Sequence, residues 1–174
     1  KTRKGRARGR PLATRDTMHL VLRSTKAKGE WSFLRPKNAK LIRKTVEKFS
    51  FVYGVRVISM ANVGNHLHLQ IKLSSRATYA PFIRAVTGSI ALGVAGRRQP
   101  ERDRGSERRS GSRDQTKTRK GPNKFWDTRP FTRIVQSFKA FLKLKDYIRI
   151  NELEGFGYRR HDARMMIEVE KTFG

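Results

Sequence analysis

Thr17 to Ser24 (TMHLVLRS) alternates, with Met18, Leu20 and Leu22 set against His19, Val21 and Arg23. A period of two predicts a half-buried strand. After Pro36, the run KNAKLIRKTVEKFSF places Leu41, Ile42, Val46 and Phe49 at helical spacing, with the proline near the helix start. Phe51 to Ala61 (FVYGVRVISMA) is rich in β-branched and aromatic residues and predicts a second strand. Asn62-Val63-Gly64-Asn65 has turn composition. Asn65 to Leu73 (NHLHLQIKL) alternates again, with His66, His68, Gln70 and Lys72 on one face and Leu67, Leu69, Ile71 and Leu73 on the other. The two runs and their turn read as a β-hairpin. A second helical pattern spans Ala77 to Val94, its apolar positions being Phe82, Ile83, Val86, Ile90 and Leu92. Structure resumes at Phe125-Trp126, with a short strand at Phe131–Val135 and a helix over Ser137–Leu153 striped by Phe138, Phe141, Leu142 and Ile148. After Gly155 the pattern is mixed, and Met165–Glu170 is expected to form a last short element.

The order strand–helix–strand–strand–helix–strand–helix fits an α+β, ferredoxin-like split βαβ domain. Two helices would cover one face of an antiparallel sheet and leave the other open to a ligand. The expected organisation is a basic arm over 1–15, one domain over 16–155 and a tail over 156–174.

Charge changes this picture most. The 174 residues carry 41 Lys+Arg against 14 Asp+Glu, a net charge of +27. Such a charge opposes compaction and calls for a polyanionic partner, nucleic acid before a membrane surface. No stretch approaches the ~20 apolar residues needed to span a bilayer. Residues 1–15 hold seven basic residues and no acid. They form no apolar pattern and no signal-peptide core, so the arm is expected to be mobile and export is not indicated. Between Arg97 and Lys124 eleven basic and four acidic side chains replace the apolar residues, which predicts a solvated loop insertion or an arm that orders on a partner. A core remains feasible, because the 36% apolar residues and 14 glycines together make about 44% of the chain. The absence of cysteine excludes disulfides, thiolate metal sites and thiol nucleophiles.

Two features carry candidate chemistry. His66 and His68, two apart on a strand, project from the same face and can reach one ion. The same spacing also describes two histidines on a solvated strand. Tyr147 lies four residues before Asn151, so the two side chains stack on one helix face. If that face met the histidine strand, Asn151 could complete a metal shell while Tyr147 faced a phosphate. A phenol needs help from a base or nearby positive charge to act as a nucleophile, and Lys143, Lys145 and Arg149 are close in sequence. Alternatively, Tyr147 packs its ring and leaves its hydroxyl in water. Together, the histidine pair, the tyrosine and the charge suit attack on a phosphodiester. His19 would approach the site if its strand neighbours the histidine strand, but nothing in the spacing makes it a ligand. Phe125, Trp126 and Phe131 could stack on unpaired bases, although aromatics beside a strand are more often core.

The pieces RGRPL, MHLVLRS, GVRVISMANVGNHLHLQI, FWDTRPFTRIV and LKDYIRIN, spread over residues 8 to 151, resemble the HUH single-tyrosine transposases, specifically the bacterial REP-associated tyrosine transposases. The resemblance implies that His66 and His68 bind a divalent metal, Mg²⁺ or Mn²⁺, and that Tyr147 takes the 5′ phosphate of cleaved single-stranded DNA. Asn151 stands where the wider family often has a metal-binding Gln with a longer reach. Val63-Gly64 departs from the Met-Pro-Asn-His form of relatives but keeps the histidine phase. The implied substrate is a repetitive extragenic palindromic hairpin with a short tetranucleotide at its foot, contacted by Arg6, Arg8 and Arg10. Arg23, Lys143 and Arg149 are further candidates for DNA contact.

The resemblance also implies a cytoplasmic, nucleoid-associated bacterial enzyme of DNA transposition and recombination, acting as a monomer or homodimer. Two other readings compete: a domesticated protein that grips hairpin DNA or RNA without cleaving it, and a basic ribosomal-type RNA-binding scaffold. The first leaves the retained histidines and tyrosine without use, and the second makes their co-occurrence an accident.

Overall fold

A computed structural model describes residues 12–96 and 124–173. Arg6, Arg8 and Arg10, with most of the arm, and the insertion up to Asn123 lie outside the described residues.

Strands β1 (Thr17–Arg23), β2 (Val55–Asn62), β3 (His66–Leu73) and β4 (Phe131–Val135) form one four-stranded sheet in the order β2-β3-β1-β4, antiparallel throughout. Helix α1 (Pro36–Val52) links β1 to β2, and α2 (Arg76–Ala95) follows β3. Helices α3 (Phe138–Gly155) and α4 (Arg160–Phe173) close the chain. The split βαβ order expected from the alternation is the observed one.

Register assigns the two faces. Leu20 opposes Leu69 and Leu22 opposes Leu67, so the apolar phases of β1 and β3 coincide. These residues, with Met18 and Ile71, are buried against Ile42 and Val46 of α1 and Phe82, Val86 and Ile90 of α2. Each such side chain contributes ~1.5–3 kcal/mol on burial. The two helices approach closely at Gly93, where a Cβ would lie 2.6 Å from Leu41 Cδ1.

The opposite phase, His19 and Val21 on β1 and His66, His68 and Gln70 on β3, lies beneath α3, which crosses β2 and β3. Ser137 caps α3, its hydroxyl accepting from Ala140 N–H at 3.1 Å. At the far end Gly155 sits directly on the Asn62 carbonyl, in a space that a Cβ would fill. Of the expected apolar stripe only Ile148 is fully buried, while Phe138 is 75% exposed and Leu142 is 42% exposed. Ile148, Leu153 and the polar Asn151, rather than a broad apolar stripe, therefore seat this helix.

Three further expectations are corrected. Phe51 and Val52 belong to the last turn of α1, and Gly54 (φ +60) ends the helix before β2 begins at Val55. Residues 160–173 form a 14-residue helix in place of a short element, with Ala163 and Ile167 buried against Leu153. Phe131 is 54% exposed and is not core. Phe125 and Trp126 do pack as core, around Phe33, and Trp126 Nε1 donates to the Thr87 carbonyl at 2.9 Å.

Candidate active site

The β2–β3 turn sets the phase of the histidines. Gly64 takes φ +88, which glycine adopts without strain, and Val63 N–H bonds back to the His66 carbonyl at 3.0 Å. The side chain of Asn62 holds the turn by donating to the Phe33 carbonyl at 2.6 Å. Val63-Gly64 is thus absorbed in a tight turn, and β3 starts at His66 in the expected phase.

His66 and His68 share the α3 face, with ring centroids 4.7 Å apart. His66 Nδ1 lies 2.6 Å from Asn65 Oδ1. His68 is buried, and its Nδ1 lies 3.1 Å from His19 Nε2, while its Nε2 is buried without a hydrogen-bond partner. Tyr147 descends from α3 onto this group. Its ring centroid is 5.4 Å from that of His68 and 6.0 Å from that of His19, edge-on to both. The structure therefore brings His19, His66, His68 and Tyr147 into one cluster.

Its electrostatics favour neutral imidazoles. Burial, then the neighbouring His66 and His19, push His68 down to about 4. His19 is lowered by burial and by Arg133, and His66 by burial and by Arg23. Neutral imidazoles are the metal-binding form. Among the described residues no group of three His, Cys, Asp or Glu could hold an ion. The donor set nonetheless fits a divalent ion, because His68 presents a buried nitrogen with no other partner beside His66. Such a shell needs further oxygens. Asn151 is buried, and its Nδ2 donates to the Tyr147 carbonyl at 2.6 Å, so only its Oδ1 has the chemistry to join.

The expected DNA contacts divide. Arg23 stands opposite His66 in register, largely exposed, with a loose 3.7 Å approach to Asp127. Lys143 lines a cleft of about 640 Å³ between β4 and α3, together with His19, Arg133 and Tyr147. Arg149 is instead engaged within the protein, bonded to Glu152 at 2.9 Å and Glu170 at 2.8 Å. Sequence reading assigned no role to Arg133 or Asn65 and left His19 open. Arg133 pairs with His19 across β1–β4, a register the sequence alone does not give.

A split βαβ sheet carrying a His-x-His strand beneath a tyrosine-bearing helix agrees in architecture with the fold the resemblance implies. The chain superposes on a REP-associated tyrosine transposase solved bound to a REP hairpin, with a TM-score of 0.58 over 85% of this chain and 73% of that one, at 13% identity. A Deinococcus radiodurans protein described provisionally as a transposase aligns over 87% of this chain and 98% of its own, with a TM-score of 0.46 and 13% identity. At 13% identity the likeness to the first of these is one of fold. No known family profile matches the chain, and no curated protein does.

Proposed function

We propose that this protein is a metal-dependent single-stranded DNA endonuclease and strand transferase of transposase type, acting beside DNA hairpins through Tyr147. The observation that carries the reading is the contact of the Tyr147 ring with the neutral, partly unpartnered His68. The REP hairpin in the superposed transposase supports a hairpin substrate for this chain.

In this reading, Tyr147 Oη attacks the scissile phosphorus. A P–O bond forms to the tyrosine and the P–O3′ bond breaks, leaving a 5′-phosphotyrosine and a 3′ hydroxyl. The phenol proton is lost and the departing 3′ oxygen gains one, so nothing is oxidised or reduced. The link keeps the bond energy for rejoining. A divalent cation, Mg²⁺ or Mn²⁺, held by His66 and His68 with Asn151 Oδ1 or DNA oxygens, would polarise the phosphate. Lys143 and Arg133, on the cleft that reaches Tyr147, hold the strand by its phosphates. Arg23, exposed beside the histidine strand, extends the cationic track, and the arm residues Arg6, Arg8 and Arg10 would add contacts to the DNA.

Labelled hairpin oligonucleotides with Mg²⁺ or Mn²⁺ test the proposal. The expected result is a denaturant-resistant protein–DNA adduct that disappears with chelator and in Tyr147→Phe. Tight hairpin binding with no adduct across a broad hairpin panel would replace it with the non-cleaving binding protein.

A further inference from the structure

We infer that His19 and Asn65 are positioning residues that fix the tautomers of His68 and His66, so that each keeps its proton on Nδ1 and presents Nε2 to a divalent cation. This rests on the metal-dependent reading above.

Asn65 gives the simpler half. An amide oxygen only accepts, so its 2.6 Å contact with His66 Nδ1 requires the proton on that nitrogen. His66 Nε2 is then a lone pair. Asn65 is itself held, because its backbone carbonyl accepts from Ser24 N–H at 2.9 Å where β1 ends. The backbone that carries this side chain is thereby tied to the end of β1 before any ion arrives.

For His68 the partner is another imidazole, and either nitrogen of the 3.1 Å contact can carry the proton. If His19 donates, the His68 proton sits on Nε2, a buried N–H with nothing to receive it. If His68 donates, the buried Nε2 becomes a lone pair, and an ion satisfies it. Only the second arrangement agrees with the His66 tautomer and gives one ion two nitrogen donors. Metal-binding histidines commonly donate their second N–H to a fixed acceptor, and losing that acceptor weakens metal affinity. His19 is not a third ligand here, since its Nε2 is used on His68.

The fold holds His19 in this role. His19 opposes Gln70 and Val21 opposes His68, so His19 is the diagonal neighbour of His68 on the same face. The two ring planes lie within 21° of each other with centroids 5.3 Å apart, and Tyr147 and Phe131 flank His19 edge-on at 6.0 and 6.3 Å. His19 thus joins the nucleophile helix to the metal pair.

Long-range ¹H–¹⁵N spectra of the histidine-labelled, metal-free chain report the tautomers directly. We expect Nδ1-protonated His66 and His68 in the wild type. In His19→Phe, His68 becomes a tautomer mixture while His66 is unchanged; in Asn65→Ala the reverse holds. His19→Gln and Asn65→Asp, which keep an acceptor, restore the wild-type pattern, and thermal melts identify any variant that fails to fold. Mn²⁺ titration, without DNA, should show affinity falling roughly 10–100-fold in His19→Phe and Asn65→Ala. An Nε2-protonated His68 in the wild type, or a tautomer unmoved by both His19 substitutions, overturns the inference. A wild-type chain with the expected tautomers that takes up no Mn²⁺ overturns the metal-dependent reading instead.

Discussion

The ring of Tyr147 stands edge-on to that of His68, with centroids 5.4 Å apart and planes at 88°. One residue belongs to α3 and the other to β3, nearly eighty positions earlier, so the contact exists only because α3 crosses the face of the sheet that α1 and α2 leave free. That crossing turns a histidine strand and a tyrosine helix into one candidate site.

If His66 and His68 hold the ion, replacing either by alanine removes one of its two nitrogen donors and none of the cationic track. The adduct should fall at least ~10²-fold, a loss expected when an electrostatic stabiliser of the reacting group is removed. Hairpin binding, measured by filter retention with chelator present, should change by less than about threefold.

Lys143 and Arg149 should behave differently although both are basic residues of α3. Lys143→Ala should weaken hairpin binding and lower the salt slope of log Kd by about one phosphate contact. Arg149→Ala should leave that slope unchanged and lower the melting temperature slightly, because an exposed ion pair is worth at most ~1 kcal/mol. Of its carboxylate partners, Glu152 lies on α3 itself and Glu170 ties α3 to α4. Salt titrations of both variants decide the assignment.

Gly155 sets how closely α3 lies on the sheet. In Gly155→Ala the new methyl meets the Asn62 carbonyl, so helix or hairpin must shift. Overpacking of this kind costs ~1–3 kcal/mol. Denaturant melts should show that loss, and the adduct rate should fall more than hairpin affinity, since the shift moves Tyr147 relative to His68.

The metal-free protein should lose stability in mild acid. The folded state holds His68 at about 4 against an ordinary value of 6.5. Between those values the unfolded chain binds a proton that the folded chain refuses, so stability is full above pH 6.5 and falls as pH drops toward 4. The contribution of His68 is on the order of 3 kcal/mol across the window. Melts in chelator from pH 7.5 to 4 should slope downward, and the slope should flatten in His68→Gln.

Much of this was legible because β1 and β3 each turn one wholly apolar face toward α1 and α2. Strict alternation around Leu20 and Leu69 fixes which residues point inward, and the histidines follow on the other phase. Phe51-Val52 misled because aromatic and β-branched residues suit a strand or an exposed helix end equally, and Gly54 alone marks the change. The length of α4 was hidden by a narrow apolar stripe, Ala163, Met166 and Ile167, in a charged background. That omission also left Arg149 without its partner Glu170. The role of His19 depends on the diagonal pairing of β1 with β3, a long-range contact with no local signature.

The most direct test of the account is peptide mapping by mass spectrometry of the adduct formed on a single-stranded hairpin substrate with Mn²⁺. The account predicts a 5′-phosphorylated DNA end attached to the peptide containing Tyr147, and a free 3′ hydroxyl on the other fragment. Cleaved DNA with no attached protein, or an attachment at any other residue, would contradict it.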